Sequence, residues 1–126
     1  MPLVKIHLRQ GKSHDYRRAV ADAVHEALVA QAGVPPDDRF QLIFEHESDA
    51  MIAHPSYGGV SRSQDLIIIE ITLNSGRTVE IKKRLYADIA ARLLSGADVR
   101  PDDVLINLVE VAKEDWSFGK GLATYA

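Results

Sequence analysis

The sequence predicts an α/β (α+β) fold in which two consecutive β-α-β units form one four-stranded sheet with two helices on a single face. Three observations predict it. The chain has 126 residues, 46% of them hydrophobic, which suits one domain with its own core. An internal repeat relates residues that lie 65 positions apart. Each copy of the repeat carries a strand pattern, a helix pattern and a second strand pattern, in that order.

The repeat aligns both ends of each half in one register without gaps. The identical pairs include Ile6 with Ile71, Leu8 with Leu73, Gly11 with Gly76, Leu28 with Leu93, Ala32 with Ala97, Val34 with Val99, and Pro36-Asp37-Asp38 with Pro101-Asp102-Asp103. We therefore expect a single domain over residues 1–126, with halves at about 1–46 and 66–111, a connection at 47–65 and a C-terminal segment at 112–126.

Hydrophobic periodicity places the elements within each half. Short apolar, β-branched runs predict strands, and apolar residues at i, i+4 and i+8 predict helices with one apolar face. The run of isoleucines that opens the second half is continuous enough to predict a strand buried on both faces. The predicted elements are strands at Leu3–Leu8, Phe40–Phe44, Leu66–Leu73 and Val104–Val111, and helices over about 14–32 and 79–95.

The predicted topology leaves one face of the sheet uncovered. Parallel β-α-β crossovers are right-handed, so both helices pack on the same face. The simplest cover for the other face of so small a domain is another copy of the chain, which predicts a symmetric oligomer. The connection at 47–65 contains Pro55 and Gly58-Gly59 and is long enough for a hairpin or a functional loop.

Composition excludes several classes of function. The chain has no cysteine, which rules out disulfides, a thiolate nucleophile and a Cys-ligated zinc site. Its five histidines lack the spacing of a metal site. Its net charge is −3 and its Lys and Arg residues are scattered, so the sequence predicts no basic surface for binding nucleic acid. No apolar stretch is long enough for a signal or membrane segment. These features predict a cytoplasmic protein with a small-molecule partner, no nucleic acid or membrane partner and no metal.

Pro2 is the residue with the most distinctive chemistry. Removal of Met1, usual before a small residue, would leave a secondary amine at the chain terminus. Such an amine acts as a base, an acid or an iminium-forming nucleophile, depending on its surroundings. By itself a proline after methionine is common and inert. The repeat adds weight, because Pro2 aligns with Ile67 and the halves thus differ where the first strand has a free end.

Two segments carry a resemblance to a known family. Val34-Pro35-Pro36-Asp37-Asp38-Arg39-Phe40-Gln41 and Glu114-Asp115-Trp116-Ser117-Phe118-Gly119, together with Pro2 on a first strand, resemble the tautomerase superfamily and most closely its malonate semialdehyde decarboxylase branch. The resemblance covers essentially the whole chain. It implies a tautomerase-like β-α-β fold, a homotrimer and a cofactor-free lyase that converts malonate semialdehyde to acetaldehyde and carbon dioxide.

The resemblance also implies roles for particular residues. It makes Pro2 the catalytic amine, Asp38 its acidic partner and Arg77 a catalytic, substrate-binding arginine, with Trp116 and Phe118 lining the pocket. One position departs from the pattern: the branch commonly carries two arginines two residues apart before the second helix, and here Ser75 stands in place of the first. Binding of the substrate carboxylate at one point, or an altered substrate, follows from that difference.

The chemistry of decarboxylation asks for the same residue types. Loss of carbon dioxide from a 3-oxo acid builds negative charge on the ketone oxygen, which a cationic Pro2 amine stabilises as donor or as iminium. A nearby Asp38 favours the charged amine. Arg77 offers a planar fork for the carboxylate. A neutral Pro2 would instead act as a general base, so a tautomerase or hydratase of 2-oxo or unsaturated acids is the alternative enzyme.

Structural roles for the same residues are also open. Asp38 and its repeat partner Asp103 each precede a strand, as turn residues do. Trp116 and Phe118 are residue types common in cores and interfaces. A further alternative is a non-catalytic binding or signalling module with the same fold, in which Pro2 is only structural, since fold alone does not determine function.

Overall fold

The computed structural model of the chain describes residues 1–125 and contains four strands and two long helices. The first half consists of strand β1 (Leu3–Arg9), helix α1 (His14–Ala32) and strand β2 (Phe40–His46). The second half consists of strand β3 (Ile67–Asn74), helix α2 (Val79–Ala97) and strand β4 (Val104–Val111). The elements follow the order that periodicity predicts, and α2 continues two residues beyond the expected end at about residue 95.

The sheet has the order β2-β1-β3-β4. β1 pairs in parallel with β2, and β3 pairs in parallel with β4, as right-handed β-α-β units require. The two halves join through an antiparallel pairing of β1 with β3. The predicted fold class, a tandem β-α-β repeat with a four-stranded sheet, is confirmed.

The core lies between the sheet and the two helices. Alternate side chains of β1 and β3 are buried there, as the two-residue period of a strand dictates. From the helices, Val24 and Leu28 of α1 and Leu85, Ile89 and Leu93 of α2 complete the packing.

The other face of the sheet stays open in the single chain. The prediction that the isoleucine-rich strand is buried on both faces is wrong at this level, because Ile68 and Glu70 of β3 point away from the helices and are only partly buried. Large apolar side chains on this face are exposed: Phe40, Leu42 and Phe44 of β2, and Leu105 and Val109 of β4.

The connection between the halves is not a hairpin. Among its described residues the only regular element is a short 3-10 turn at Ser48–Ala50. The Arg9 side chain donates hydrogen bonds to the carbonyl oxygens of Ser48, Met51 and Gln64, at 3.0, 2.6 and 3.1 Å. These bonds hold the connection against the end of β1 without a strand pairing.

Polar side chains and a left-handed residue define the helix ends. Ser13 and Thr78 accept hydrogen bonds from the backbone N–H groups of Tyr16 and Ile81, which caps both N-termini. Gly33 ends α1 in the left-handed conformation (φ 69°), and its repeat partner Asp98 ends α2 in the same way (φ 55°). Within residues 1–125, neither helix has a stretch long and apolar enough to span a bilayer.

Candidate active site

Pro2, Asp38 and Trp116 lie near one edge of the sheet, at the end where strands β1 and β2 begin and β4 ends. Leu3 pairs with Phe40, so the parallel strands β1 and β2 start side by side. Leu3 also pairs with Thr72 of the antiparallel β3, which places the end of β3 at that edge. Asn74 pairs with Val111, so the chain that follows β4 leaves the sheet there too. The antiparallel junction of the halves thus brings two strand starts and two strand ends together.

A cavity of about 190 Å³ opens at this edge. Its lining residues are Met1, Pro2, Leu3, Phe40, Trp116, Ser117 and Phe118. Pro2, Trp116 and Phe118 come from opposite ends of the chain and meet in this one cavity. Met1 forms part of the wall, so removal of Met1 would enlarge the cavity.

Asp38 lies beside the chain terminus. Its Oδ2 atom is 3.8 Å from the amino nitrogen of Met1, and its side chain is only 14% exposed. Its Oδ1 atom is buried and has no hydrogen-bond partner among the described residues. A buried carboxylate oxygen without a partner is costly, so this position favours a cation or a strong hydrogen-bond donor nearby.

A turn anchored to α1 holds Asp38 in place. The Asp38 backbone N–H donates to the Pro35 carbonyl oxygen at 3.0 Å. The buried His25 ring lies with Nε2 at 2.8 Å from the Pro36 carbonyl oxygen, and because a carbonyl only accepts, Nε2 carries the proton. The turn therefore has a fixed position on the helix that covers the first half.

The neighbouring Arg39 points away from the cavity. Its Nη2 atom donates to Asp22 Oδ1 at 2.6 Å, and its Nε atom donates to Gln41 Oε1 at 2.8 Å. The Arg39 guanidinium, with a further hydrogen bond from Arg18, holds the pKa of Asp22 below its usual value of 3.8. Arg39 is thereby held at the surface of α1.

Arg77 binds the end of α1 and is not among the residues that line the cavity. Its Nε and Nη2 atoms donate to the carbonyl oxygen of Ala32, the last residue of α1, at 3.0 and 2.8 Å. Its Nη1 atom donates to the Asn74 carbonyl oxygen at 3.2 Å. The guanidinium has five N–H donors, so three are engaged and two are available. In this structure Arg77 caps a helix C-terminus, whose last carbonyls otherwise lack partners.

Aromatic side chains form the cavity wall on the C-terminal side. The ring centroids of Trp116 and Phe118 are 5.8 Å apart, and Tyr125 meets Phe118 edge-on at 5.0 Å. The Trp116 indole Nε1–H donates to Asn74 Oδ1 at 2.7 Å. This hydrogen bond attaches the aromatic wall to the last residue of β3.

Sequence reasoning missed Phe40, Ser117 and Asn74 as site residues. The sequence predicts that Phe40 starts a strand and places it in a segment that carries the family resemblance, but only the register of the parallel strands shows that it lies beside Leu3. Ser117 lies inside the segment that carries the family resemblance. Asn74 gave no sequence signal, since its contact with Trp116 spans 42 residues.

A second polar cluster lies on the open face of the sheet. His7 Nδ1 is 2.8 Å from His46 Nε2, and His7 Nε2 is 3.0 Å from Glu70 Oε2. The His7 ring also stacks on Phe44 at 4.7 Å. These residues do not line the cavity. Within residues 1–125, no three His, Asp or Glu side chains are placed to hold a metal ion.

Comparison with known proteins places this arrangement in a family. Two family models, each described as a tautomerase enzyme, match residues 38–119 and residues 2–60. A relative from Bacillus subtilis (strain 168), named Probable tautomerase YusQ, is 42% identical over 98% of this chain and 97% of its own length. The chain belongs to the tautomerase family. The matched segments begin at Pro2, which lines the cavity, and at Asp38, which lies beside the chain terminus and is not among the residues that line the cavity.

Two solved structures of malonate semialdehyde decarboxylases are similar to this tautomerase-family chain throughout. FG41 malonate semialdehyde decarboxylase, inhibited by 3-bromopropiolate, is 41% identical, with a TM-score of 0.91 over 98% of this chain and 93% of its own. A malonate semialdehyde decarboxylase described with decarboxylase and hydratase activities is 32% identical, with a TM-score of 0.92 over 98% and 95% of the two chains. A fused 4-OT, a symmetric trimer, is 23% identical with a TM-score of 0.79 over 98% of this chain and 97% of its own, and shares the fold.

Proposed function

We propose that this tautomerase-family chain decarboxylates a short 3-oxo acid, malonate semialdehyde being the first candidate, with the amine of Pro2 as its catalytic group and no cofactor. The observation that carries the proposal is the position of Asp38: its buried Oδ1 has no hydrogen-bond partner among residues 1–125, and its Oδ2 lies 3.8 Å from the chain-terminal nitrogen, next to Pro2, which lines the cavity. The similarity to two malonate semialdehyde decarboxylases supports the choice of substrate.

Pro2 supplies the positive charge that the reaction needs. As carbon dioxide leaves, the electron pair of the breaking C–C bond moves onto the aldehyde oxygen to give an enolate. A protonated Pro2 amine donates a hydrogen bond or a proton to that oxygen, and protonation at carbon then gives acetaldehyde. Asp38 keeps the amine protonated, since an adjacent carboxylate favours the charged form.

The aromatic wall favours release of carbon dioxide. Trp116 and Phe118 line the same cavity as Pro2. An apolar wall disfavours the charged carboxylate and accommodates the neutral product.

Arg77 is the proposed anchor of the substrate carboxylate. Two of its five N–H donors are free of the hydrogen bonds to Ala32 and Asn74, which suffices for one carboxylate. Arg77 lies next to the aromatic wall, because it binds the backbone of Asn74, whose side chain accepts from the Trp116 indole. With Ser75 in place of a second arginine, Arg77 is the single cation proposed for this purpose.

The second candidate reaction uses Pro2 as a base. The name of the relative from Bacillus subtilis favours keto-enol tautomerisation, and the activities named for one solved decarboxylase favour hydration of an unsaturated acid. Both reactions run at the same cavity with an unprotonated amine. The pH–rate profile separates them from decarboxylation. A catalytic base loses activity when the pH falls below its pKa, whereas a charged donor loses activity when the pH rises above its pKa.

We also propose that the chain forms a homotrimer through the open face of the sheet. Exposed Phe40, Leu42 and Phe44 on one edge strand, and Leu105 and Val109 on the other, form an apolar surface that a second copy would cover. The fused 4-OT of the same fold is a trimer. Phe40 also lines the cavity, so a neighbouring subunit on this face would reach the proposed active site.

The proposal is tested by three measurements on the purified protein. Intact mass is expected to show that Met1 is absent. Incubation with malonate semialdehyde is expected to release carbon dioxide and acetaldehyde. Pro2→Ala is expected to lower kcat by roughly tenfold or more, since loss of a group that stabilises the oxyanion typically costs about 10²–10³ and a primary amine replaces part of it.

Pro55→Ala is the matched control, because Pro55 lies in the exposed connection away from the cavity. It is expected to keep the wild-type kcat. Retention of Met1, or the absence of carbon dioxide from the substrate, would refute the proposed reaction.

A further inference from the structure

The structure ties the C-terminal segment to the rest of the molecule at one point. Among residues 1–125, the hydrogen bond from Trp116 Nε1 to Asn74 Oδ1, 2.7 Å long, is the only one that joins residues 113–125 to a strand or helix. The other hydrogen bonds of this segment stay within residues 112–125, such as the bond from the Phe118 backbone to Thr124 at 3.4 Å. No ion pair involves residues 113–125 within the described chain.

The hydrogen bond between Trp116 and Asn74, here called the tether, has a counterpart in the first half of the repeat. Arg9 aligns with Asn74 at the end of the first strand, and Met51 aligns with Trp116. Arg9 Nη2 donates to the Met51 carbonyl oxygen at 2.6 Å. In both halves, therefore, the last residue of the first strand holds the segment that follows the closing strand.

The backbone around the two tethers is equivalent as well. Gln10 N–H donates to the His46 carbonyl oxygen at 2.8 Å, and its repeat partner Ser75 N–H donates to the Val111 carbonyl oxygen at 2.9 Å. The two halves differ in the direction of the bond and in what is held: Arg9 donates, whereas Asn74 accepts. In the first half the tether holds a backbone carbonyl of the connection, and in the second half it holds an indole that lines the cavity.

We propose that Asn74 is a positioning residue of the site: its side-chain oxygen sets the orientation of Trp116 and, through Trp116 and Phe118, closes the cavity over Pro2. The proposal rests on the proposed function for its effect on turnover. Its effect on the position of Trp116 is independent of any substrate. Asn74 also accepts from Arg77 Nη1 through its backbone carbonyl, which no side-chain substitution removes.

The test uses Trp116 as its own reporter, because it is the only tryptophan of the chain. Asn74→Leu removes the acceptor, and Asn74→Asp keeps an oxygen that accepts from the indole N–H. In Asn74→Leu we expect a red-shifted emission and a Stern–Volmer constant for acrylamide raised by about twofold or more, because the indole loses the one bond that holds it. Asn74→Asp is expected to restore wild-type emission and quenching.

Turnover is measured on the same variants. Asn74→Leu is expected to lower kcat for malonate semialdehyde by about five- to tenfold, the loss that one hydrogen bond of ordinary strength implies, with KM changed less. Asn74→Asp is expected to recover most of this kcat. Gln10→Leu is the matched control, since Gln10 also carries a side-chain amide, is exposed and does not line the cavity; it is expected to leave fluorescence and kcat unchanged.

The outcomes separate this inference from the proposed function. Wild-type emission and quenching in Asn74→Leu would overturn the positioning role, whatever the enzyme catalyses. Altered quenching with an unchanged kcat would overturn the link to the reaction. If the wild type fails to decarboxylate the substrate, the proposed function fails while the fluorescence comparison of Leu and Asp at position 74 still decides the role of Asn74.

Discussion

Asp38 and Asp103 occupy equivalent positions 65 residues apart, yet of the two only Asp103 has both carboxylate oxygens hydrogen-bonded within residues 1–125. Asp103 is fully buried and accepts from the Ser63 backbone N–H at 2.7 Å and from the Ser63 hydroxyl at 2.6 Å. Ser63 belongs to the connection before β3. Before β1, the chain terminus takes the equivalent place, with its nitrogen 3.8 Å from Asp38. One aspartate therefore fixes a loop, and the other faces the amino terminus.

Asp38→Asn is expected to impair catalysis and to leave the fold intact. Without the carboxylate, the Pro2 amine loses the charge that favours its protonated form, so the alkaline limb of the kcat–pH profile is expected to move to lower pH. The free energy of unfolding is expected to change little, because the Asp38 Oδ1 atom makes no hydrogen bond to any described residue. The measurements are pH–rate profiles and thermal melts. An unchanged profile would contradict the partnership of Asp38 with Pro2.

Asp103→Asn is expected to show the opposite pattern. The buried Asp103 carboxylate accepts hydrogen bonds from Ser63 and, at 3.3 Å, from Arg100. The substitution replaces one of these acceptor oxygens with an amide N–H₂ group, which would face another donor. Such a change in a buried network costs about 1–3 kcal/mol. Chemical denaturation measures the loss, and limited proteolysis of the connection at 47–65 locates it. A stability equal to the wild type would show that Asp103 does not anchor the connection.

Arg77→Ala is expected to lower stability as well as substrate affinity. The change leaves the Ala32 carbonyl oxygen without the two donors that cap α1, a loss of about 1–2 kcal/mol. Raised KM with an unchanged melting temperature would contradict the capping role. Lowered stability with an unchanged KM would contradict carboxylate binding. Lys12→Ala, at the equivalent position of the first half, is the control, because Lys12 pairs with Asp65 instead.

Leu42→Glu is expected to dissociate the proposed trimer. Leu42 is 48% exposed on the open face of the sheet, where a second copy would bury it, and a buried unpaired charge is strongly unfavourable. Leu94→Glu, at a side chain 45% exposed on α2, is the matched control. Analytical ultracentrifugation is expected to give monomers for the first variant and the wild-type species for the second. A wild type that sediments as a monomer would refute the assembly.

The acid dependence of stability is expected to include a contribution from Asp22. Because Arg39 and Arg18 lower its pKa in the folded state, the contribution is complete above the usual value of 3.8 and is lost as pH falls through the lower folded value. The ion pair is partly exposed, so solvent screening limits it to roughly 0.2–1 kcal/mol. Asp22→Asn is expected to flatten the stability–pH curve below 3.8. Equal slopes for wild type and variant would contradict this.

Local pattern accounts for most of the fold. Val20, Val24 and Leu28 recur at helical spacing and form the buried face of α1, and the closing strand Val104–Val111 has the predicted bounds. Ile67 to Ile71 also predicted a strand correctly, but alternation of side chains across the sheet leaves Ile68 on the open face. A continuous apolar run does not distinguish the face of a strand that helices cover from the face that is open in the single chain.

The sequence by itself determined the order of strands and helices, the repeat and the presence of Pro2, Asp38, Trp116 and Phe118, because these depend on residues close in the chain or aligned by one register. Only the tertiary structure decided that the halves join through antiparallel β1 and β3, which sets Pro2 and Trp116 at one edge of the sheet. It also decided that Asp38 Oδ1 has no hydrogen-bond partner in the described part of the chain, whereas Asp103 binds Ser63, and that Arg77 binds Ala32. Contacts of this kind depend on the register between elements far apart in sequence, which local periodicity does not encode.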